Sequence, residues 1–178
     1  MLLSKRRRLE KCQGDMSKEK INQVIEYLND HEISFTRYDH PPVFTIEESK
    51  KHWANVPGMH CKNLFLRDDK SRYFFLLCCE GSKQVDLKSL RSIVGYRLGF
   101  ASERRLDQFL KLTPGSVSPF GLINDADNKV QVLLDSNFRD AELLNFHPNI
   151  NTCTLEIELN DFIKYMDGVG NEWKWVDV

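Results

Sequence analysis

Three short stretches hold side chains that could do chemistry. In Cys61-Lys62-Asn63-Leu64-Phe65-Leu66, strand alternation puts Lys62 on the same face as Leu64 and Leu66. A lysine on an apolar face is either a strand-end residue reaching for water or a cation held at a cleft, where it would serve a phosphate as a point charge. In Gly115-Ser116-Val117-Ser118-Pro119-Phe120-Gly121, the glycines permit close backbone approach to a ligand. Successive N–H groups in such a turn can hold an anion or a carbonyl oxygen, and Ser116 and Ser118 add hydroxyls. In Asn145-Phe146-His147-Pro148-Asn149, His147 could serve as a base, as a donor to a carbonyl, or simply as a loop histidine. His40, before Pro41-Pro42, poses the same choice more weakly.

Other chemistries lack their residues. The chain has no G-x-S-x-G elbow, no H-E-x-x-H, no P-loop and no G-x-G-x-x-G. Its five cysteines are odd in number and lack C-x-x-C spacing, which argues against a disulfide framework or structural zinc. Cys78 and Cys79 lie in the apolar run Tyr73 to Cys79 and read as core, whereas Cys61, beside Lys62, is the one cysteine whose pKa a neighbour could lower. No apolar run approaches the ~20 residues of a membrane helix, and no secretory h-region opens the chain, so a cytoplasmic location is expected. The net charge of −1 gives no global basic field, although a local patch would suffice to grip one end of a nucleic acid.

The elements that must carry these stretches follow from periodicity. The 178 residues, 41% hydrophobic and 29% charged, suit a single domain at 16–178 behind a basic extension at 1–15. Lys5, Arg6, Arg7, Arg8 and Lys11 make that extension a disordered, solvated tail, a nucleic-acid arm or a nuclear signal. Ile21, Val24, Ile25 and Leu28 mark a first helix, a strand is expected over Ile33 to Tyr38, and Thr45-Ile46-Glu47-Glu48 forms a capping box. Cys61–Arg67 and Tyr73–Cys79 flank a polar turn as a hairpin. Helices are predicted over Asp86–Val94, after Ser102, near Phe138–Leu144 and from Asn160 to Gly168. Strands are predicted at Arg97–Ala101, Gly121–Asn124, Val130–Leu134 and Thr152–Glu158, and Trp173–Val176 forms an edge strand or a surface tail. Interspersed strands and helices without a strict repeat give an α+β fold with a mixed sheet.

Taken in order, His40-Pro41-Pro42-Val43-Phe44-Thr45-Ile46-Glu47-Glu48, Lys62-Asn63-Leu64-Phe65-Leu66, Pro114-Gly115-Ser116-Val117-Ser118-Pro119-Phe120-Gly121-Leu122 and Asn145-Phe146-His147-Pro148 resemble the YbaK/prolyl-tRNA synthetase-associated family over roughly residues 17–168. The chain looks most like the stand-alone branch that removes alanine from mischarged tRNA(Pro). The resemblance implies a mixed, barrel-like sheet with flanking helices, ester hydrolysis in trans, and neither metal nor cofactor. Partners would be the tRNA(Pro) acceptor end and prolyl-tRNA synthetase. Lys62 would contact that acceptor end, and Asn63 and His147 would line the site. The Gly115–Pro119 loop, with Ser116 and Ser118, would hold the aminoacyl carbonyl, and Phe44 or Phe120 would wall the pocket. Backbone N–H groups near Gly115 and Ser116 are expected to face the oxyanion. The alternatives are a cysteine-removing or other small-amino-acid deacylase, and a non-catalytic module that binds tRNA or synthetase.

Overall fold

The computed structural model describes residues 17–42 and 56–178. The capping box and Phe44 lie outside these residues. Helix α1 covers 17–30, with Ile21, Val24 and Leu28 buried on the stripe that the sequence spacing predicts. The strands are β1 (Thr36–Asp39), β2 (Met59–Asp68), β3 (Phe74–Glu80), β4 (Leu98–Phe100), β5 (Val130–Asp135), β6 (Leu143–Phe146), β7 (Cys153–Glu158) and β8 (Trp173–Val176). Helices α2 (Leu90–Val94), α3 (Glu103–Leu110) and α4 (Leu159–Val169) lie between them.

The strands form one mixed sheet in the order β1-β7-β6-β2-β3-β5-β8, with β4 also on β2. This is the expected α+β architecture. The β2–β3 hairpin pairs Lys62 with Cys79 and Leu66 with Phe75, and the Asp68 carboxylate closes its turn by accepting from the Arg72 and Tyr73 amides at 2.6 and 3.0 Å. Strand β2 is the hinge of the sheet. Along one edge it runs parallel to β6 at Met59 and His60, then antiparallel to β4 at Leu66–Asp68. Residues 61–65 fall between these two partners.

Alternation assigns the faces. Met59, Cys61 and Phe65 join Leu144, Phe146, Leu155 and Ile157 in the main core, which α1, α3 and α4 cover with Leu28, Leu110 and Phe162. Leu64 and Leu66 face a smaller cluster with Phe75, Leu77, Cys79, Leu90 and Leu133.

Several local expectations change in the structure. The predicted strand at Gly121–Asn124 is a 3-10 helix over Pro119–Asn124, because the Ser118 hydroxyl accepts from the Phe120 amide at 3.1 Å and Pro119 fixes the first turn. The predicted helix near Phe138–Leu144 is a 3-10 turn, Ser136–Asp140, followed by β6, whose pairing to β2 and β7 overrides local propensity. Helix α2 begins late because Asp86 holds the Lys88 amide and the Ser89 hydroxyl in a competing turn. Helix α4 starts from Glu158 rather than Asn160. The tail is an edge strand parallel to β5.

Candidate active site

The place where β2 parts from β6 organises the site. In the parallel pair, Met59 opposes Leu144 in the core and His60 opposes Asn145 on the other face. Pairing then stops. Two residues further on, beyond the end of the pairing, strand alternation returns Lys62 to the face that carries His60. Beyond Asn145, the face continues through Glu156 on β7, and Thr154 pairs with Tyr38 on β1. A sheet face carrying His60, Lys62, Asn145, His147, Thr154, Glu156 and Tyr38 is polar, although Asn145, Thr154 and Glu156 are buried.

The histidines converge on this face. The His40 ring lies 5.6 Å from that of His147, and His40 Nε2 is 3.0 Å from the Thr154 hydroxyl. His40 Nδ1 lies 2.9 Å from the Pro41 carbonyl, which can only accept, so Nδ1 donates there. Burial, reinforced by His40 and His60, pushes His147 down to about 4. At neutral pH His147 is therefore an uncharged imidazole, able to accept a proton from water or to donate one hydrogen bond.

This shift makes a stability prediction. A depressed histidine pKa favours the folded state above the unfolded value near 6.5, and the contribution is lost as pH falls toward 4, because the unfolded chain binds the proton first. Urea unfolding between pH 7 and 4.5 should show the wild type losing about 1–3 kcal/mol more than His147→Gln. Equal losses would show that His147 is not held neutral by burial.

Lys62 is half-buried, and its ammonium donates to the Lys83 carbonyl in the loop after β3. Lys83 is in turn fixed by the buried Asp135 at 2.6 Å. Asn63 points to the opposite face, where its amide donates to the Val117 carbonyl at 3.0 Å and ties the glycine loop to β2. Its Oδ1 is buried without a partner. At the far end of the loop, Asn149 donates to the Phe120 carbonyl at 3.2 Å and Tyr165 to the Pro119 carbonyl at 2.9 Å. The structure thus joins the Asn63, Gly115 and His147 segments by side-chain bonds to the loop backbone.

Within the loop, Gly115 has φ +83° and open space where a Cβ would stand. The Ser116 amide already donates to Thr113 at 3.1 Å, so it is not the expected oxyanion donor. The Gly115 and Val117 amides have no such bond among the described residues. Ser118 and Pro119 are buried and shape the 3-10 turn. Phe120, expected at the pocket wall, is fully buried against Phe146 and Tyr165 and belongs to the core. Cys61 also differs from expectation: burial drives its thiol well above the ordinary range, on the face away from Lys62. The described residues hold no cluster of three or more metal-ligating side chains.

Sequence reasoning missed His60, Asn145, Thr154 and Glu156. The available signal was Thr152–Glu158, where Thr154 and Glu156 alternate with Leu155 and Ile157 in a strand buried on both faces.

The sequence profile described as "Aminoacyl-tRNA editing domain" matches residues 40–165, which span all of these segments. The chain belongs to the aminoacyl-tRNA editing domain family. Editing is hydrolysis of the aminoacyl ester, so this editing domain is an enzyme of the hydrolase class. It is 39% identical over 156 residues to the prolyl-tRNA editing protein ProX of Acetoanaerobium sticklandii, covering 87% of this chain and 95% of the relative. It is 32% identical over 164 residues to the prolyl-tRNA synthetase associated domain-containing protein 1 of Xenopus laevis, covering 89% and 95%. A solved structure of a candidate trans-editing enzyme for prolyl tRNA synthetase superposes with a TM-score of 0.68 at 13% identity, covering 89% of this chain and 97% of that one, and supports the editing-domain fold. No helix among the described residues of the editing domain is long and apolar enough to cross a membrane.

Proposed function

We propose that the protein acts in trans, in the cytoplasm, to hydrolyse the ester of Ala-tRNA(Pro) formed by prolyl-tRNA synthetase. The observation that supports this reading is the convergence of His40, His60 and His147 on the polar face that also holds Lys62, where β2 and β6 part, with Asn63 holding the Gly115 loop from the opposite side of the same strand. Lys62 takes a phosphate of the acceptor end as a fixed point charge. The Gly115 amide faces the ester carbonyl and stabilises the developing oxyanion, and neutral His147 orients water or the substrate amine. Hydrolysis of an activated ester needs a positioned water and aimed donors, and no protein nucleophile is invoked.

Alanine is favoured because a pocket shaped for proline rejects a smaller apolar side chain by only ~1–3 kcal/mol, which leaves an error for a second site to correct. The editing protein named for prolyl-tRNA among the relatives supports the tRNA assignment. The test is single-turnover deacylation of Ala-, Cys-, Ser- and Pro-tRNA(Pro). Ala-tRNA(Pro) should be cleared at least ~10-fold faster than Pro-tRNA(Pro). Loss of cysteine but not alanine would move the substrate to the cysteine-removing class. Binding without acceleration would leave only a tRNA-binding module.

A further inference from the structure

The polar sheet face contains a carboxylate with no ion-pair partner among the described residues. Glu156 is 8% exposed, and no lysine or arginine among the described residues lies within ion-pair distance of it. Its one described hydrogen bond comes from the Tyr38 hydroxyl at 3.4 Å, near the outer limit for O–H···O contacts. Directly across the strand pair stands Asn145, 3% exposed. The Asn145 amide donates to the Pro57 carbonyl at 2.7 Å, which fixes its orientation and leaves Oδ1 buried with no partner. Opposed residues on one face hold their Cβ atoms about 4.5–5.5 Å apart. Two neighbouring acceptor groups therefore stand side by side, the amide oxygen with no partner and the carboxylate with the Tyr38 hydroxyl as its one described donor. Such an arrangement lacks a cation that brings several N–H groups.

Resting on the reading above, we propose that Glu156 and Asn145 form the subsite for the substrate's α-ammonium group. A primary ammonium brings one positive charge and three donors, enough for the carboxylate and the orphaned amide oxygen together. The position suits the rest of the substrate. Two strand spacings and one same-face step separate the Cα atoms of Glu156 and Lys62, roughly 12 Å in all. The ammonium sits at one end, the phosphate cation at the other, and the ester lies between them beside His147. The subsite selects a free amino acid ester over one whose amine is acylated or absent, whatever its side chain.

The experiment compares two esters of the same tRNA on the full-length protein: Ala-tRNA(Pro) and lactyl-tRNA(Pro), in which a hydroxyl replaces the ammonium. For the wild type, kcat/KM should be about 10–100-fold higher for the alanyl ester. Glu156→Gln keeps shape and the Tyr38 contact, and should lower the alanyl rate by that factor while lowering the lactyl rate far less, so that the alanyl-to-lactyl ratio falls. Glu156→Asp should restore part of the preference. The ratio is taken within one preparation, so a change in folded fraction cancels. If Glu156→Gln slows both esters equally, Glu156 supports the sheet and the inference falls. The same holds if the wild type cleaves both esters equally well, although the deacylase reading then stands. If the wild type cleaves neither ester, the deacylase reading itself fails.

Discussion

Replacing Lys62 with alanine is expected to slow deacylation of Ala-tRNA(Pro) by about 10²–10³-fold, the range typical of losing one preorganised electrostatic contact in an active site. The side chain is half-buried and its ammonium is tied to the Lys83 carbonyl, which the Lys83–Asp135 ion pair holds in place. The charge is thus positioned before substrate arrives. Because the head group reaches a loop carbonyl rather than filling the core, the stability cost should stay within about 1 kcal/mol. Lys62→Arg should not restore the rate, since a planar fork does not reproduce a compact ammonium donating to one carbonyl. Single-turnover deacylation alongside urea unfolding separates these effects. A Lys62→Ala protein within about threefold of wild-type rate would remove Lys62 from the machinery, and with it the main support for the site as drawn.

Phe120→Ala should cost about 3–5 kcal/mol of stability, among the largest effects of any single side-chain truncation in this fold. The ring is fully buried, edge-on to Phe146 at 6.2 Å and to Tyr165 at 5.1 Å. It also lies in the 3-10 turn whose Pro119 and Phe120 carbonyls are held by Tyr165 and Asn149. A cavity there loosens the exit of the Gly115 loop, so activity toward every ester should drop together. A pocket-wall residue would behave differently: its truncation would enlarge the pocket, spare stability and admit Pro-tRNA(Pro). Urea unfolding together with the Ala-to-Pro rate ratio distinguishes the two. An unchanged stability with a shifted ratio would return Phe120 to the wall.

The sequence by itself determined the elements whose signals are local. The 3.6-residue spacing of Ile21, Val24 and Leu28, the apolar run of β3 and the polar turn at Asp68–Lys70 specify a helix and a hairpin through short-range sterics and one-sided burial. The ordered motifs around Lys62, Gly115 and His147 likewise disclosed the family, since residue types and their order survive without coordinates. Tertiary structure decided what depends on partners distant in the chain. Local propensity leaves Leu143–Phe146 ambiguous, and only pairing with β2 and β7 makes it a strand. That pairing ends at His60 and Asn145, and the fold brings the His147 ring to 5.6 Å from that of His40, 107 positions away by number. It also brings Glu156 beside Asn145, a meeting of two acceptors that no local pattern encodes. Phe120 reversed its expected role for the same reason. A phenylalanine in a glycine-rich loop suits a pocket or a core equally well, and the rings of Phe146 and Tyr165, supplied by β6 and α4, made it core.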